Sequence, residues 1–375
     1  MNPTFDFNQR PFLVIWETTH ACDLACQHCR ASADPLPSPD ELTHEEAKKL
    51  IREIKAMGCP ILVFSGGDPL KRADLFDLIS YSKSLELRTG TIPAVTPLLT
   101  EDKVKRLKQC GLDQIAFSLD AATDKEHDRF RRVEGVFDQT LRFVQIAHNA
   151  GLSVQINSLV NVHNLESFDA LINLVESLPI VFWEVFFLVP VGRGTELTML
   201  QAEKFEEAFS KIYRLSQRAE FLVKITEAPH YRRFYIEQEL ANISETLPQG
   251  EITPKELPAY LRQKQGPRGG LGRAPQGVNA GKGFVFVSHR GEVFPSGFLP
   301  LEAGHLRKQS LAEIYRQSPL MRELRNADLL KGRCGVCVYR EVCGGSRSRA
   351  YALTGDYLAE DPGCAYQPIE TPISL

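Results

Sequence analysis

The sequence predicts an α/β fold: a partial (β/α)6 barrel of the TIM type, open on one side, with a smaller cysteine-rich region at its C-terminal end. Three observations carry this expectation. Six short apolar, β-branched runs alternate with amphipathic helical stretches between residues 12 and 219, the pattern of parallel βαβ units with right-handed crossovers. Six units, where a closed barrel has eight, leave an opening wide enough for a large substrate. The nine cysteines fall into a group of three near one end, a group of four near the other, and two isolated residues, Cys59 and Cys110.

At 375 residues the chain exceeds one typical domain. We expect a barrel over 1–225, a linker or lid over 226–283 and a second domain over 284–375. With 24% charged residues and a formal net charge of −3, nothing in the composition favours a nucleic-acid or membrane surface. No run of about 18 apolar residues reaches across a bilayer. Met1–Arg10 lacks the apolar core of a secretory signal. The expected location is cytoplasmic, where cysteines act as metal ligands, reactive thiols or core residues more often than as disulfides. Cys59 and Cys110 follow amphipathic helices, beside Gly58 and Gly111, and are read as small core or loop residues.

The first strand spans Phe12–Thr18, and Cys22-Asp-Leu-Ala-Cys26-Gln-His-Cys29 follows at its C-terminal end, where α/β barrels carry their chemistry. Three thiols in eight residues can converge on a metal centre. A tetrahedral zinc site would need a fourth ligand from His20, His28 or Cys59, and none completes it tidily. Thr43-His-Glu-Glu46 is a capping box that starts a helix, and Gly58 stops it. The second strand, Ile61–Ser65, ends in Gly66-Gly67-Asp68-Pro69. Two glycines permit close backbone approach, and Asp68 suits an ammonium group, although the same residues also make an ordinary strand-to-helix turn.

The alternation continues with a helix over 74–84, a strand over 87–92, a helix over 101–110 and a strand over 114–119. A helix over 137–149, a strand over 153–159, a helix over 165–177, a strand over 181–189 and a helix over 201–219 complete the series. Ser118-Leu-Asp120, Asn157 and Val191-Gly-Arg-Gly194 place polar groups at the same end of the barrel as the cysteine loop. Each taken singly is routine turn chemistry.

After Phe221 the pattern breaks. Ile225–Arg233 follows a seventh apolar run and reads either as a substrate wall or as a helix start. Residues 257–275 carry Arg262, Lys264, Arg268 and Arg273 without an acid. Such a segment is a solvated loop or a lid that orders around substrate carboxylates. Gly283–Val287 and Glu292–Phe294 form a β-hairpin around Ser288-His-Arg-Gly291, and a short helix covers 310–317. Finally Cys334, Cys337, Cys343 and Cys364 supply four thiols, a set that suits a structural zinc ion or an iron–sulfur cluster.

The ordered set of CxxxCxxC, GGDP, SLD, a polar fifth strand and a late CxxC-x5-C…C resembles radical S-adenosylmethionine (SAM) enzymes with a C-terminal SPASM/twitch-type iron–sulfur domain. The resemblance covers nearly the whole chain. It implies that Cys22, Cys26 and Cys29 ligate three irons of a [4Fe–4S] cluster whose fourth iron is open to SAM. His28 stands where an aromatic residue is usual. It further implies that Gly66, Gly67, Asp68 and Pro69 hold the amino group of SAM, that Ser118, Asp120 and Asn157 contact it, and that Arg131 pairs with its carboxylate. Reductive cleavage would then yield a 5′-deoxyadenosyl radical that abstracts a substrate hydrogen, the hard chemistry belonging to the cofactors. Cys334, Cys337, Cys343 and Cys364 would hold one fully ligated auxiliary cluster. Full SPASM domains place a cysteine after the hairpin, where this chain has Ser296, a poor soft ligand, so two [4Fe–4S] clusters are expected in all.

Within that family two substrate classes fit. The segment from Cys334 to Cys364 resembles the tetrapyrrole-modifying group, which includes the alternative heme synthases and heme d1 maturases. About ten residues precede the first strand, which leaves out the N-terminal recognition domain common in maturases of ribosomally made peptides. The basic 262–273 segment suits propionates, but it also suits an acidic peptide. Tetrapyrrole side-chain modification, such as oxidative decarboxylation, is the leading expectation, and peptide maturation is the alternative. A non-catalytic iron–sulfur carrier would need four protein ligands at the first cluster. An RNA-modifying enzyme is disfavoured by the acidic balance. A flavodoxin or ferredoxin is the implied electron donor.

Overall fold

The computed structural model describes residues 5–244 and 277–368. The basic segment with Arg262, Lys264, Arg268 and Arg273 lies outside the described residues. The chain runs β1 (Leu13–Glu17), α1 (His44–Ala56), β2 (Ile61–Ser65), α2 (Leu75–Ser84), β3 (Arg88–Thr91), α3 (Glu101–Gln109), β4 (Gln114–Ser118), α4 (Asp124–Arg131), α5 (Val136–Asn149), β5 (Ser153–Val160), α6 (Phe168–Glu176), β6 (Phe182–Phe187), α7 (Ala202–Ser216), β7 (Leu222–Thr226) and α8 (Tyr231–Ser244). Then follow β8 (Phe284–Val287), β9 (Glu292–Phe294), β10 (Gly304–His305), α9 (Leu311–Gln317), α10 (Pro319–Arg325), α11 (Gly332–Val336) and α12 (Arg347–Thr354).

All ten strands form one sheet in the order β10-β9-β8-β1-β2-β3-β4-β5-β6-β7. From β8 to β7 every neighbouring pair is parallel, as crossover helices require. Two features extend the six-stranded expectation. The run after Phe221 becomes a seventh parallel strand on β6, and the hairpin of β8 and β9 attaches to the free edge of β1. The ends of the sheet, β7 and β10, are not neighbours in it, so the barrel is open.

Local chemistry sets the helix starts. The capping box of α1 is complete: Glu46 N–H donates to Thr43 Oγ1 at 3.3 Å, and Thr43 N–H donates to Glu46 Oε2 at 2.8 Å. The helix α4 has no counterpart in the sequence reading. Its eight residues, DKEHDRFR, are almost all polar, and only His127, Phe130 and Arg131 are buried. Thr123 caps it.

Strand alternation sorts the side chains into two layers. Val14, Trp16, Leu62, Phe64, Ile115, Phe117, Trp183 and Val185 face the helices in the main core. Burial of each large side chain there contributes roughly 1.5–3 kcal/mol. The opposite face lines the barrel and divides in character. Leu13, Ile15, Ile61, Val63 and Ile92 make an apolar wall on β1 and β2 and at the end of β3. Gln155, Asn157, Glu184, Lys224 and Thr226 make a polar one on β5 to β7.

Candidate active site and metal centres

The cysteine loop leaves β1 and is fastened by backbone bonds before its thiols are considered. Cys22 N–H donates to Asp34 O at 2.7 Å, Gln27 N–H to Phe130 O at 3.1 Å and Cys29 N–H to Cys26 O at 3.3 Å. The turn after β6 closes over the loop, with Arg193 N–H on Cys29 O at 3.0 Å and Arg193 Nε on Cys26 O at 2.9 Å. Gly192 has φ +55, and a Cβ there would lie 2.6 Å from Cys29 O, so the fit needs a glycine. Cys22 and Cys26 are buried and Cys29 is half-buried. Leu24 N–H points at Cys22 Sγ (3.4 Å) and Arg131 Nη1 at Cys26 Sγ (3.5 Å). Burial pushes the Cys22 thiol up to about 12. A thiol so placed ionises at neutral pH only when a cation takes the place of its proton. Three closely spaced thiols, with N–H donors already aimed at two of the sulfurs, fit the thiolate shell of an iron–sulfur cluster.

The Gly66–Pro69 turn sits directly on the segment that leads into this loop. Gly67 N–H donates to Thr19 O at 2.9 Å and Asp68 N–H to Ala21 O at 2.6 Å. A Cβ on Gly67 would meet His20 O at 2.6 Å and Ala21 O closer still. The glycines therefore bring this turn against backbone, and they do so beside the cysteines. Asp68 is fully buried, and burial raises its pKa. Its carboxylate accepts from Leu70 N (3.1 Å), Ala94 N (3.3 Å) and Thr96 Oγ1 (3.2 Å). Pro69 opens a short 3-10 turn.

Ser118 and Asn157 lie opposite each other in register on β4 and β5. Asn157 Oδ1 accepts from Gln155 Nε2 at 2.6 Å. Asp120 and Arg131 hold one another in a buried ion pair, and Asp120 also accepts Leu159 N–H at 2.8 Å. These two are thus engaged with each other and with Cys26. His28 stacks on Phe130 at 4.7 Å, and burial depresses its pKa to about 3, leaving a neutral ring.

The second cysteine group also converges. Cys334, Cys337, Cys343 and Cys364 line one pocket, with His230, Arg233, Tyr339 and Tyr366. Three donors aim at its sulfurs: Gly345 N on Cys343 (3.3 Å), Asp361 N on Cys334 (3.4 Å) and Arg347 Nη2 on Cys334 (3.7 Å). Burial pushes Cys343 up to about 12 and Cys364 to about 11. Four thiols around one space fit a centre with a complete set of protein ligands. Behind it Arg349 and Asp361 form a fully buried two-point ion pair (2.8 Å and 2.8 Å), and burial, opposed by Arg349 and His230, leaves the Asp361 carboxyl well below its usual range. Ser296 is turned elsewhere. Its hydroxyl donates to Glu227 at 3.0 Å, and Glu227 also accepts from Ser346 (2.6 Å) and Ser348 (3.1 Å).

Several site groups have no conspicuous sequence signal. Glu17, at the end of β1, pairs with Arg30 at 2.7 Å and accepts from His289 at 2.7 Å, a residue of the β8–β9 turn; His20 lies 3.9 Å from it. Arg30 stacks over Phe286 at 4.1 Å. Glu184 and Lys224 pair at 2.7 Å inside the barrel. The period-2 pattern carries Glu184 to the inner face of β6, and it was the available signal.

Residues 16–175 match the radical SAM superfamily. The chain is 38% identical to an AdoMet-dependent heme synthase of Oleidesulfovibrio alaskensis, AdoMet being SAM, over 96% of this chain and 88% of the relative. It is 26% identical to a PqqA peptide cyclase of Rhizobium meliloti over 97% of this chain and 90% of that one. Among solved structures, Streptococcus suis SuiB bound to S-adenosylmethionine superposes with a TM-score of 0.69 at 15% identity, covering 96% of this chain and 78% of SuiB, a likeness of fold.

Proposed function

Since the chain belongs to the radical SAM superfamily, whose members are enzymes that use SAM and a [4Fe–4S] cluster, we propose that it modifies carboxylate side chains of a tetrapyrrole by oxidative decarboxylation. The observation that carries this reading is the 38% identity, over 96% of the chain, to a relative named as a heme synthase, against 26% for a peptide cyclase. The half-apolar, half-polar barrel interior suits a flat apolar macrocycle with charged arms.

Cys22, Cys26 and Cys29 would hold the first cluster, with Gly66–Pro69, Ser118, Asp120, Arg131 and Asn157 around bound SAM. When bound, this pair supplies a 5′-deoxyadenosyl radical for hydrogen abstraction. The chain's own contribution is position and exclusion of water. Arg131 and Arg193 fix the loop from two sides, and the His28–Phe130 stack covers it. Cys334, Cys337, Cys343 and Cys364 would hold a single auxiliary cluster, so that two are present. The engagement of Ser296 with Glu227 supports that count. A flavodoxin or ferredoxin would deliver electrons, and the location would be cytoplasmic. No described helix is long and apolar enough to cross a membrane.

Each propionate converted to a vinyl group loses CO2, one hydrogen atom to the radical, and one further electron, which an oxidised carrier of the flavodoxin or ferredoxin class would accept. Anaerobic turnover with SAM, dithionite and Fe-coproporphyrin III, followed by mass spectrometry, tests the reading. Stepwise loss of CO2 and two hydrogens, matched by 5′-deoxyadenosine, is the expected result. SAM cleavage that couples only to a peptide would replace it with the maturase reading, which the peptide-cyclase similarity keeps in view.

A further inference from the structure

The polar wall of the barrel contains a built constellation that neither cluster explains. Glu184 sits on the inner face of β6, opposite Lys224 of β7 in register. Its carboxylate accepts from Lys224 Nζ at 2.7 Å, Thr226 Oγ1 at 2.5 Å and Gln155 Nε2 at 3.0 Å. Gln155 donates in turn to Asn157 and is bonded to Gln114, so one row of polar groups crosses β4 to β7. Packed sheet interiors carry such rows at a cost in desolvation, which a purely structural barrel would avoid with apolar residues.

Exposure within the row is graded. The Glu184 side chain is 14% exposed and that of Lys224 40%. Lys224 lies on the strand that ends the sheet, beside the barrel's open side. An ammonium has three N–H donors, and the bond to Glu184 uses one. Glu184 already accepts three donors and holds the ammonium in place. Next to this pair, Phe186 on the inner face of β6 meets Phe298 at 6.3 Å, an aromatic wall beside a cation. From Gln155 the same row branches to Asn157, one of the residues expected at SAM.

We propose that Lys224 is a specificity-determining residue that binds a carboxylate arm of the substrate, oriented by Glu184. The inference rests on the tetrapyrrole reading and deepens it: the substrate is an anionic macrocycle whose flat body lies against Phe186 and Phe298 while one carboxylate reaches Lys224.

The test uses reconstituted enzyme and two probes, Fe-coproporphyrin III and its tetramethyl ester, with binding followed by the shift of the porphyrin absorbance. Lys224→Ala is expected to weaken binding of the acid about tenfold or more, the worth of a lost charge-assisted hydrogen bond. Lys224→Arg restores binding of the acid, and the ester binds wild type and Lys224→Ala alike. The double variant Glu184→Gln/Lys224→Met, which leaves no unpaired charge, behaves as Lys224→Ala does. Equal affinity of wild type and Lys224→Ala for the acid overturns the inference alone, and so does equal loss of acid and ester. A wild-type enzyme that binds neither probe overturns the tetrapyrrole reading and, with it, this assignment.

Discussion

Arg131 lies between two groups of the candidate SAM site: one amino group of its guanidinium donates to Cys26 Sγ at 3.5 Å and the other holds the buried carboxylate of Asp120. A single side chain from α4 thereby links the end of β4 to the cysteine loop. Burial opposes its charge, and Asp120 and Cys26 more than restore it, raising its pKa.

Removal of that cation leaves Asp120 buried and unpaired. Arg131→Met is predicted to lose about 3–5 kcal/mol of stability by urea unfolding, the cost of breaking a buried pair on one side. Adding Asp120→Asn recovers a large part of it. An Arg131→Met protein as stable as wild type would show that the pair is dispensable.

The contact between the glycine turn and the cysteine loop predicts a selective loss. Gly67→Ala puts a methyl group 2.6 Å from His20 O, where only backbone can yield. Reconstituted Gly67→Ala is expected to carry about four irons where wild type carries about eight, because the second centre lies on separate elements. Full iron content in the variant would contradict this account of the turn.

Acid sensitivity should begin above the carboxylate range. His127 is buried, and burial, with help from Arg131, depresses its pKa to about 4 from an ordinary 6.5. Its neutral Nδ1 accepts the N–H of Asp120 at 3.2 Å. The unfolded chain takes the proton first, so the stability is complete above the ordinary value and drains away as pH falls toward the folded one. His127→Gln should make the loss shallower by about 1.4 kcal/mol per pH unit within that window. Identical slopes for the two proteins in urea titrations would refute the assignment.

Glu227 gathers the hydroxyls of Ser296, Ser346 and Ser348, and its own carbonyl accepts from Arg349 at 2.7 Å. It thus joins the end of β7 to α12 and the second cysteine group. Glu227→Ala is predicted to destabilise by about 3 kcal/mol, on the order of what hydrogen bonds to a charged group contribute. Limited proteolysis should then cut first between 327 and 368; unchanged resistance there would argue against the linkage.

Of the first six strands, all but β3 were legible because Val, Ile and Phe alternate or run continuously on them; β3, with the sequence RTGT, was placed by its position between two helices, and both cysteine groups were legible from spacing. The seventh strand was not read as part of the barrel because Lys224 and Thr226 interrupt its apolar run, and they do so because they face the polar interior. The junction of Glu17 with His289 spans 272 residues, and no local pattern reports a pairing of β1 with a distant hairpin. Arg131 was named for its family role, whereas its bonds to Asp120 and Cys26 depend on α4, a helix too polar to show a period. Ser296 was read as a missing ligand, and its engagement with Glu227 gives that absence a physical form.

Cys22, Cys26 and Cys29 are proposed to hold the centre that cleaves SAM, and Cys334, Cys337, Cys343 and Cys364 a separate one. Anaerobic reconstitution followed by dithionite, SAM and detection of 5′-deoxyadenosine tests this claim most directly. Product is expected from wild type and from Cys334→Ala, the latter with about four irons fewer, and none from Cys22→Ala. Product from Cys22→Ala, or its loss from Cys334→Ala with the first centre intact, would contradict the claim.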